Sequence, residues 1–171
     1  MNLPPSPNTE FLEAVAGRIA PLLDEVVFVG GQVVELLLTD PAAIRIRATT
    51  DVDVVVVGTR TEYHRMEDRL RALGFLNDQS EGAPVCRWKT RDGYLLDLMP
   101  VDEAILGFTN EWYGAAVDQT QQHELRSGLT ISIPRPPVFL ATKLAAFNGR
   151  GGDDLLGSHD LEDAITLVAG R

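Results

Sequence analysis

Cysteine is nearly absent from this sequence: Cys86 stands alone among 171 residues. A disulfide within the chain is therefore excluded, which fits a reducing cytoplasm. Cys86 itself reads as a small buried apolar residue. Histidine is scarce, and His64, His123 and His159 are too scattered for a zinc spacing. No apolar run approaches the ~20 residues that span a bilayer. The longest, around Val54 to Val57, is strand-sized. The opening MNLPPSPNTE has no basic stretch followed by an apolar one, so it is not a signal peptide. These absences imply a cytoplasmic protein with no membrane partner. Positive charge is also in deficit, with 15 Lys and Arg against 25 Asp and Glu and a net charge of −10. A non-specific nucleic-acid binder would carry a basic stripe instead. A nucleotide-handling enzyme stays open, because metal-binding carboxylates add to the acidic count. The sequence lacks Gly-x-Ser-x-Gly, the Walker loop and the Rossmann glycine pattern, which excludes three common site types.

What remains is an ordinary globular composition, 44% apolar and 23% charged. It suits one domain over residues 1–171, with a loose arm at 1–8 and a C-terminal helical element at 136–171. Hydrophobic spacing predicts a helix from an Asn8 or Thr9 cap to about Leu23, with Pro21 disturbing its last turn. A buried strand, Val26 to Val29, runs into Gly30-Gly31. A helix over Gln32 to Leu38 follows and stops at Asp40-Pro41. A connector carrying Arg45 and Arg47 leads to a β-branched strand, Asp51 to Val57. Then come a helix, Arg60 to Leu73, capped by Gly74, and short strands near Phe75–Asn77, Val85–Thr90 and Tyr94–Met99. Asp92-Gly93 marks a hairpin turn between the last two. Residues 100–127 read as partly helical, and Leu129 to Ile133 as a last strand. A helix runs from Pro136 or Pro137 to Asn148-Gly149, and a final one from Ser158 or Asp160 to about Val168. The order implies an α/β (α+β) fold, with a mixed, mostly antiparallel sheet flanked by helices.

The chemistry concentrates in Thr50-Asp51-Val52-Asp53-Val54. Residues two apart on a strand share a face, so Asp51 and Asp53 point the same way. Like charges that close repel, and a divalent cation with oxygen ligands offsets the repulsion. The Gly30-Gly31 turn lets backbone approach a ligand and present N–H groups to phosphate. Asp97 interrupts the apolar strand Tyr94 to Met99, where an unpaired charge is costly unless it faces a site or a partner. Beside Asp51 and Asp53 it would complete a carboxylate set for two metals; paired with Arg87 it would be structural. Asp102 is a weaker candidate for the third ligand.

This pattern resembles the DNA polymerase β-type nucleotidyltransferase superfamily. The C-terminal run Phe139-Leu140-Ala141-Thr142-Lys143-Leu144, then Arg150-Gly151-Gly152, then Ser158-His159-Asp160-Leu161-Glu162-Asp163, resembles its AbiEii-like members. Those include toxins of bacterial toxin–antitoxin pairs. The resemblance runs from about Val26 to Val168. It implies Mg²⁺, as one or two ions, on Asp51, Asp53 and Asp97, with a nucleoside triphosphate as substrate. It also implies Gly30 and Gly31 at the triphosphate, Lys143 at its phosphates, and Asp160 in the C-terminal active-site element. The acceptor would be tRNA, a protein side chain or a small molecule, and a cognate antitoxin would be a partner. Arg150 is the arginine singled out as a phosphate contact. Lys143 as a solvated helix lysine and Asp160 as a helix cap are the plain structural alternatives.

The chain departs from the family in two places. His159 stands where a basic residue usually precedes the first aspartate of the last element. Val34-Glu35 stands where the CCA-adding enzymes, relatives with a similarly long connector, have Arg-Asp. Among other residues, Arg60, Arg65 and Arg69 read as a solvated, salt-bridged face. Trp88 and Trp112 read as core more readily than as base-stacking platforms.

Overall fold

The structure is a computed structural model that describes residues 6–40, 46–150 and 154–171. Helix α1, Pro7–Arg18, is capped by Ser6, whose Oγ accepts from the Thr9 backbone N–H at 3.1 Å. Asn8, expected as a cap, is instead buried inside the fold. Its Nδ2 donates to the Arg47 carbonyl at 2.8 Å and its Oδ1 accepts from the Thr49 N–H at 3.0 Å. Residues 6–8 are thus a helix start that pins the connector before the aspartate strand, while residues 1–5 of the expected arm lie outside the described residues. The helix ends earlier than expected because Pro21 cannot donate to its interior. The chain tightens into a 3₁₀ segment, Ala20–Glu25.

Strand β1, Val26–Phe28, is followed by a 3₁₀ turn, Gly31–Val33, and a single helical turn α2, Val34–Leu37. Then come β2, Asp51–Val56; α3, Arg60–Ala72; β3, Leu76–Asn77; β4, Arg87–Lys89; and β5, Leu95–Met99. Thr59 and Glu62 form a capping box at the start of α3. Gly74 (φ +90°) and Gly93 (φ +94°) occupy the left-handed positions expected at the helix end and the Asp-Gly turn.

The five strands lie in the order β1-β2-β5-β4-β3. Only the central β2/β5 pair is parallel; the other three are antiparallel. The sheet is therefore mixed and mostly antiparallel, as the element order implied. Val52, Val54, Leu96 and Leu98 face the main core with α1, α3 and Phe139. The opposite face carries Val27, Val29 and Val55, covered by Ala116 and Val138. By the period-2 rule, Asp51, Asp53 and Asp97 belong to this second face.

Residues 100–127 hold α4, Glu103–Leu106, and α5, Tyr113–Asp118, and then a strand that sequence reading misses: β6, Thr120–Glu124. It forms a hairpin with β7, Thr130–Pro134. Its sequence, Thr-Gln-Gln-His-Glu, has little strand propensity, and pairing to a partner with buried Ile131 and Ile133 decides its state. The last two helices are α6, Pro136–Gly149, and α7, His159–Ala169, the latter capped by Ser158. They pack on one another. No helix among the described residues is long and apolar enough to cross a membrane.

Candidate active site

Register alone places the acidic residues. Asp53 lies opposite Asp97 across the parallel β2/β5 pair, and Asp97 lies opposite Arg87 across β5/β4. Cross-strand neighbours stand about 5 Å apart, so these side chains must settle their charges locally. Arg87 does so for two of them. Its Nε donates to Asp97 Oδ1 at 2.8 Å, while its Nη2 donates to Asp97 Oδ2 and Asp51 Oδ2, each at 2.7 Å. The structural pairing weighed for Asp97 is therefore formed, and it reaches Asp51 as well. The Asp97 hydrogen bonds hold the Arg87 guanidinium protonated more firmly than usual.

Asp53 is left over. Its side chain has no hydrogen-bond or ion-pair partner among the described residues. Burial first, then the like charges of Asp51 and Asp97, push its carboxyl up to about 7; Lys143 and Arg150 pull it the other way. The folded protein therefore holds this proton more tightly than the unfolded chain, whose ordinary value is 3.8. Stability from this group is present at low pH and lost as pH rises through about 7. Asp53→Asn should melt higher than wild type near pH 8 in a chelator, with the difference vanishing at about pH 4. Thermal melts at both pH values check this; equal melting at both would remove the charge crowding.

Beside Asp53 is the Gly-Gly turn. A Cβ on Gly30 would fall 2.1 Å from Asp53 Oδ2, and one on Gly31 would fall 2.8 Å from Thr49 Cγ2. Gly30 is extended (φ −73°), so the glycine is needed for room rather than for backbone conformation. The helix expected at Gln32 to Leu38 is a 3₁₀ turn and a single α turn, and at its start the buried Gln32 side chain reaches back to the Thr49 and Asp51 carbonyls at 3.4 and 3.3 Å. So short a helix has little dipole, and any hold on phosphate would fall to the turn's own N–H groups.

Across from the sheet, α6 supplies Lys143 and α7 supplies Asp160 and Asp163, all buried. Lys143 Nζ lies 2.8 Å from Asp163 Oδ2 and 3.4 Å from Asp160 Oδ1. The i, i+3 spacing on α7 thus puts two carboxylates on one lysine. Ser158, not Asp160, is the helix cap. Arg150, at the end of α6, reaches Asp160 at 3.2 Å with its side chain 78% exposed. Arg47, from the connector, reaches Asp163 at 3.5 Å. Arg45, Gly151 and Gly152 lie outside the described residues.

One cavity of about 680 Å³ is bordered by Gly30, Gly31, Asp51, Asp53, Asp97, Lys143, Arg150 and Asp160, so these sequence-derived candidates meet there and Asp102 does not. That volume lies within the ~300–1,000 Å³ usual for ligand pockets. His159 is also on its wall. Sequence reasoning gave no site role to Tyr113, Asn110 and Arg87, which line it too. Tyr113 and Asn110 sit in a stretch without clear periodicity, whereas Arg87 was visible only as a possible partner for Asp97. Asp102 is elsewhere, capping α4 by accepting from the Ala104 N–H at 2.9 Å. Trp88 is in the core as expected, whereas Trp112 is exposed and is not a core residue. Cys86 is buried, its thiol pushed up to about 12 chiefly by desolvation, which leaves it inert.

The crystal structure of an antigenic nucleotidyltransferase-like protein from Paracoccidioides brasiliensis matches this one with a TM-score of 0.60. The match covers 95% of this chain and 75% of that chain at 17% sequence identity. The fold is nucleotidyltransferase-like. No protein-family model and no curated protein matches the chain. At this identity the likeness carries the fold of the nucleotidyltransferase-like protein and not its chemistry.

The donor set fits a hard divalent cation in kind. It is all oxygen, it includes an unpaired carboxylate that resists losing its proton, and Gly30 leaves the space in front of that carboxylate open. In arrangement it is not yet a metal site. Among the described residues no three acidic, histidine or cysteine side chains are grouped to hold an ion, since Arg87 lies between Asp51 and Asp97.

Proposed function

We propose that this protein transfers a nucleoside monophosphate from a nucleoside triphosphate to an acceptor hydroxyl in the presence of Mg²⁺. The observation that carries the reading is the unpaired Asp53 alongside Asp51 and Asp97, beside Gly30 and across a cavity from Lys143, in a nucleotidyltransferase-like fold. Asp51, Asp53 and Asp97 would hold the cation, which supplies charge stabilisation at the phosphoryl oxygens. Gly30 and Gly31 would let the triphosphate lie against the backbone. Lys143, held by Asp160 and Asp163, would meet the negative charge that develops on the leaving pyrophosphate, and Arg150 would reach the phosphates from the rim. The acceptor oxygen would bond to the α-phosphorus as the bond to the bridging oxygen of pyrophosphate breaks. The acceptor's proton would pass to Asp97, whose pair with Arg87 has to open first. Most of the acceleration would come from positioning and fixed charge.

Membership of the AbiEii-like group, tRNA as the leading acceptor, a cognate antitoxin and a cytoplasmic setting belong to this same proposal. The net charge of −10 weighs against a large RNA footprint, so tRNA would have to be held through a localised basic patch. A second reading is a module that binds nucleotide, or a protein partner, without turnover. The Arg87 bridge favours it, because it already neutralises two of the three carboxylates.

The test combines Mg²⁺, each α-labelled nucleoside triphosphate, and total tRNA, protein or small hydroxylated acceptors. Label in one acceptor class supports transfer and identifies the acceptor. Nucleotide binding without label in any product supports the module.

A further inference from the structure

The proposed metal reading leaves one residue without a role, and that residue makes the most hydrogen bonds in the carboxylate cluster. Arg87 donates three, two to Asp97 and one to Asp51. Its position is fixed from behind. The Arg87 carbonyl accepts from the Asp78 N–H at 2.8 Å and from Asn77 Nδ2 at 3.2 Å, and its own N–H donates to Pro84 at 3.0 Å. The side chain is 20% exposed, and Asp97 beneath it is 9% exposed. The exposed part of Arg87 opens into the cavity.

We propose that Arg87 is a built-in counterion of this site, which a divalent cation must displace to take Asp51 and Asp97 together with Asp53. Three carboxylates gathered on one sheet face need positive charge, and the guanidinium supplies one unit to two of them. A divalent cation would supply two units and would reach the third, Asp53, which the guanidinium leaves bare. Two cations cannot share the same carboxylate oxygens at close range without strong mutual repulsion. Free metal would therefore bind the wild-type protein weakly, and removing the guanidinium would strengthen binding. The register makes the arrangement specific, because Arg87 faces Asp97 directly across the antiparallel β4/β5 pair.

This inference rests on the metal reading, and its test separates the two. Free Mn²⁺ would be titrated by electron paramagnetic resonance into wild type, Arg87→Gln and Arg87→Lys, with thermal melts in chelator and in Mg²⁺ alongside. Arg87→Gln should bind Mn²⁺ at least about tenfold more tightly than wild type, as expected when a unit charge within contact distance is removed. Arg87→Lys should stay near wild type because it keeps the charge. In chelator Arg87→Gln should melt lower than wild type, since Asp97 loses its partner, and Mg²⁺ should raise its melting temperature more than that of wild type. If wild type and Arg87→Gln bind Mn²⁺ equally, displacement is wrong while the metal reading stands. If neither binds, both are wrong.

Discussion

Asp53→Ala is expected to abolish nucleotidyl transfer, lowering the rate by about 10³-fold or more, while leaving the fold intact. The size follows from the role. Asp53 is the carboxylate of this cluster whose side chain has no partner among the described residues, and losing a group that fixes charge at a reacting phosphoryl centre typically costs ~10²–10³-fold or more. The intact fold follows from its energetics. Asp53 is held against its preference for water and beside two like charges, so deleting it relieves the metal-free protein. Steady-state incorporation of α-label, read with a circular-dichroism melt, checks both halves. Activity within tenfold of wild type would remove Asp53 from the chemistry, and an unfolded variant would make it structural instead.

Gly30→Ala should have the next largest effect, and for a steric reason. The new methyl would sit 2.1 Å from Asp53 Oδ2, 2.9 Å from its Cγ and 3.1 Å from its Cβ, so the whole carboxylate has to turn away. Overpacking of this kind costs about 1–3 kcal/mol of stability, and displacing a reacting group by an ångström costs about 10²-fold in rate. Gly31→Ala meets the Thr49 Cγ2 and an Arg47 guanidinium nitrogen first, at 2.8 and 2.9 Å, and the arginine end can move aside. It should therefore be the milder change. In the double variant Gly30→Ala/Asp53→Ala the clash with the carboxylate disappears and only the 3.1 Å contact with the residue-53 Cβ remains, so most of the Gly30→Ala loss should be absent. The full Gly30→Ala loss persisting in urea melts of the double variant would mean that Gly30 is required for the turn itself and not for Asp53.

The site was more legible in the sequence than its internal wiring. Asp51 and Asp53 on one face follow from strand periodicity, and Asp97 followed from being a charge in an apolar strand. Asp160 and Asp163 on one side of α7 follow from helix periodicity. Each is a local rule, and local rules survive folding when the element is right. What the sequence did not show depends on contacts distant along the chain. Arg87 reaches Asp51 across 36 positions, and Asn8 pins the connector from 39 and 41 positions away. Neither contact has a periodic signature. Strand β6 was missed because its residues are polar and its pairing with β7 supplies what propensity lacks. The early end of α1 reflects Pro21, which is legible in the sequence, whereas the 3₁₀ continuation that carries Leu22 and Leu23 into the core is not.

In the proposed transfer the bond broken lies between the α- and β-phosphates. The direct measurement runs α-labelled and γ-labelled nucleoside triphosphate side by side with the purified protein, Mg²⁺ and the acceptor found by screening. Nucleotidyl transfer puts α-label on the acceptor and γ-label in pyrophosphate, in equal amounts and both lost in Asp53→Ala. Release of γ-label as orthophosphate, or its appearance on the acceptor while α-label stays in the nucleotide, would contradict it.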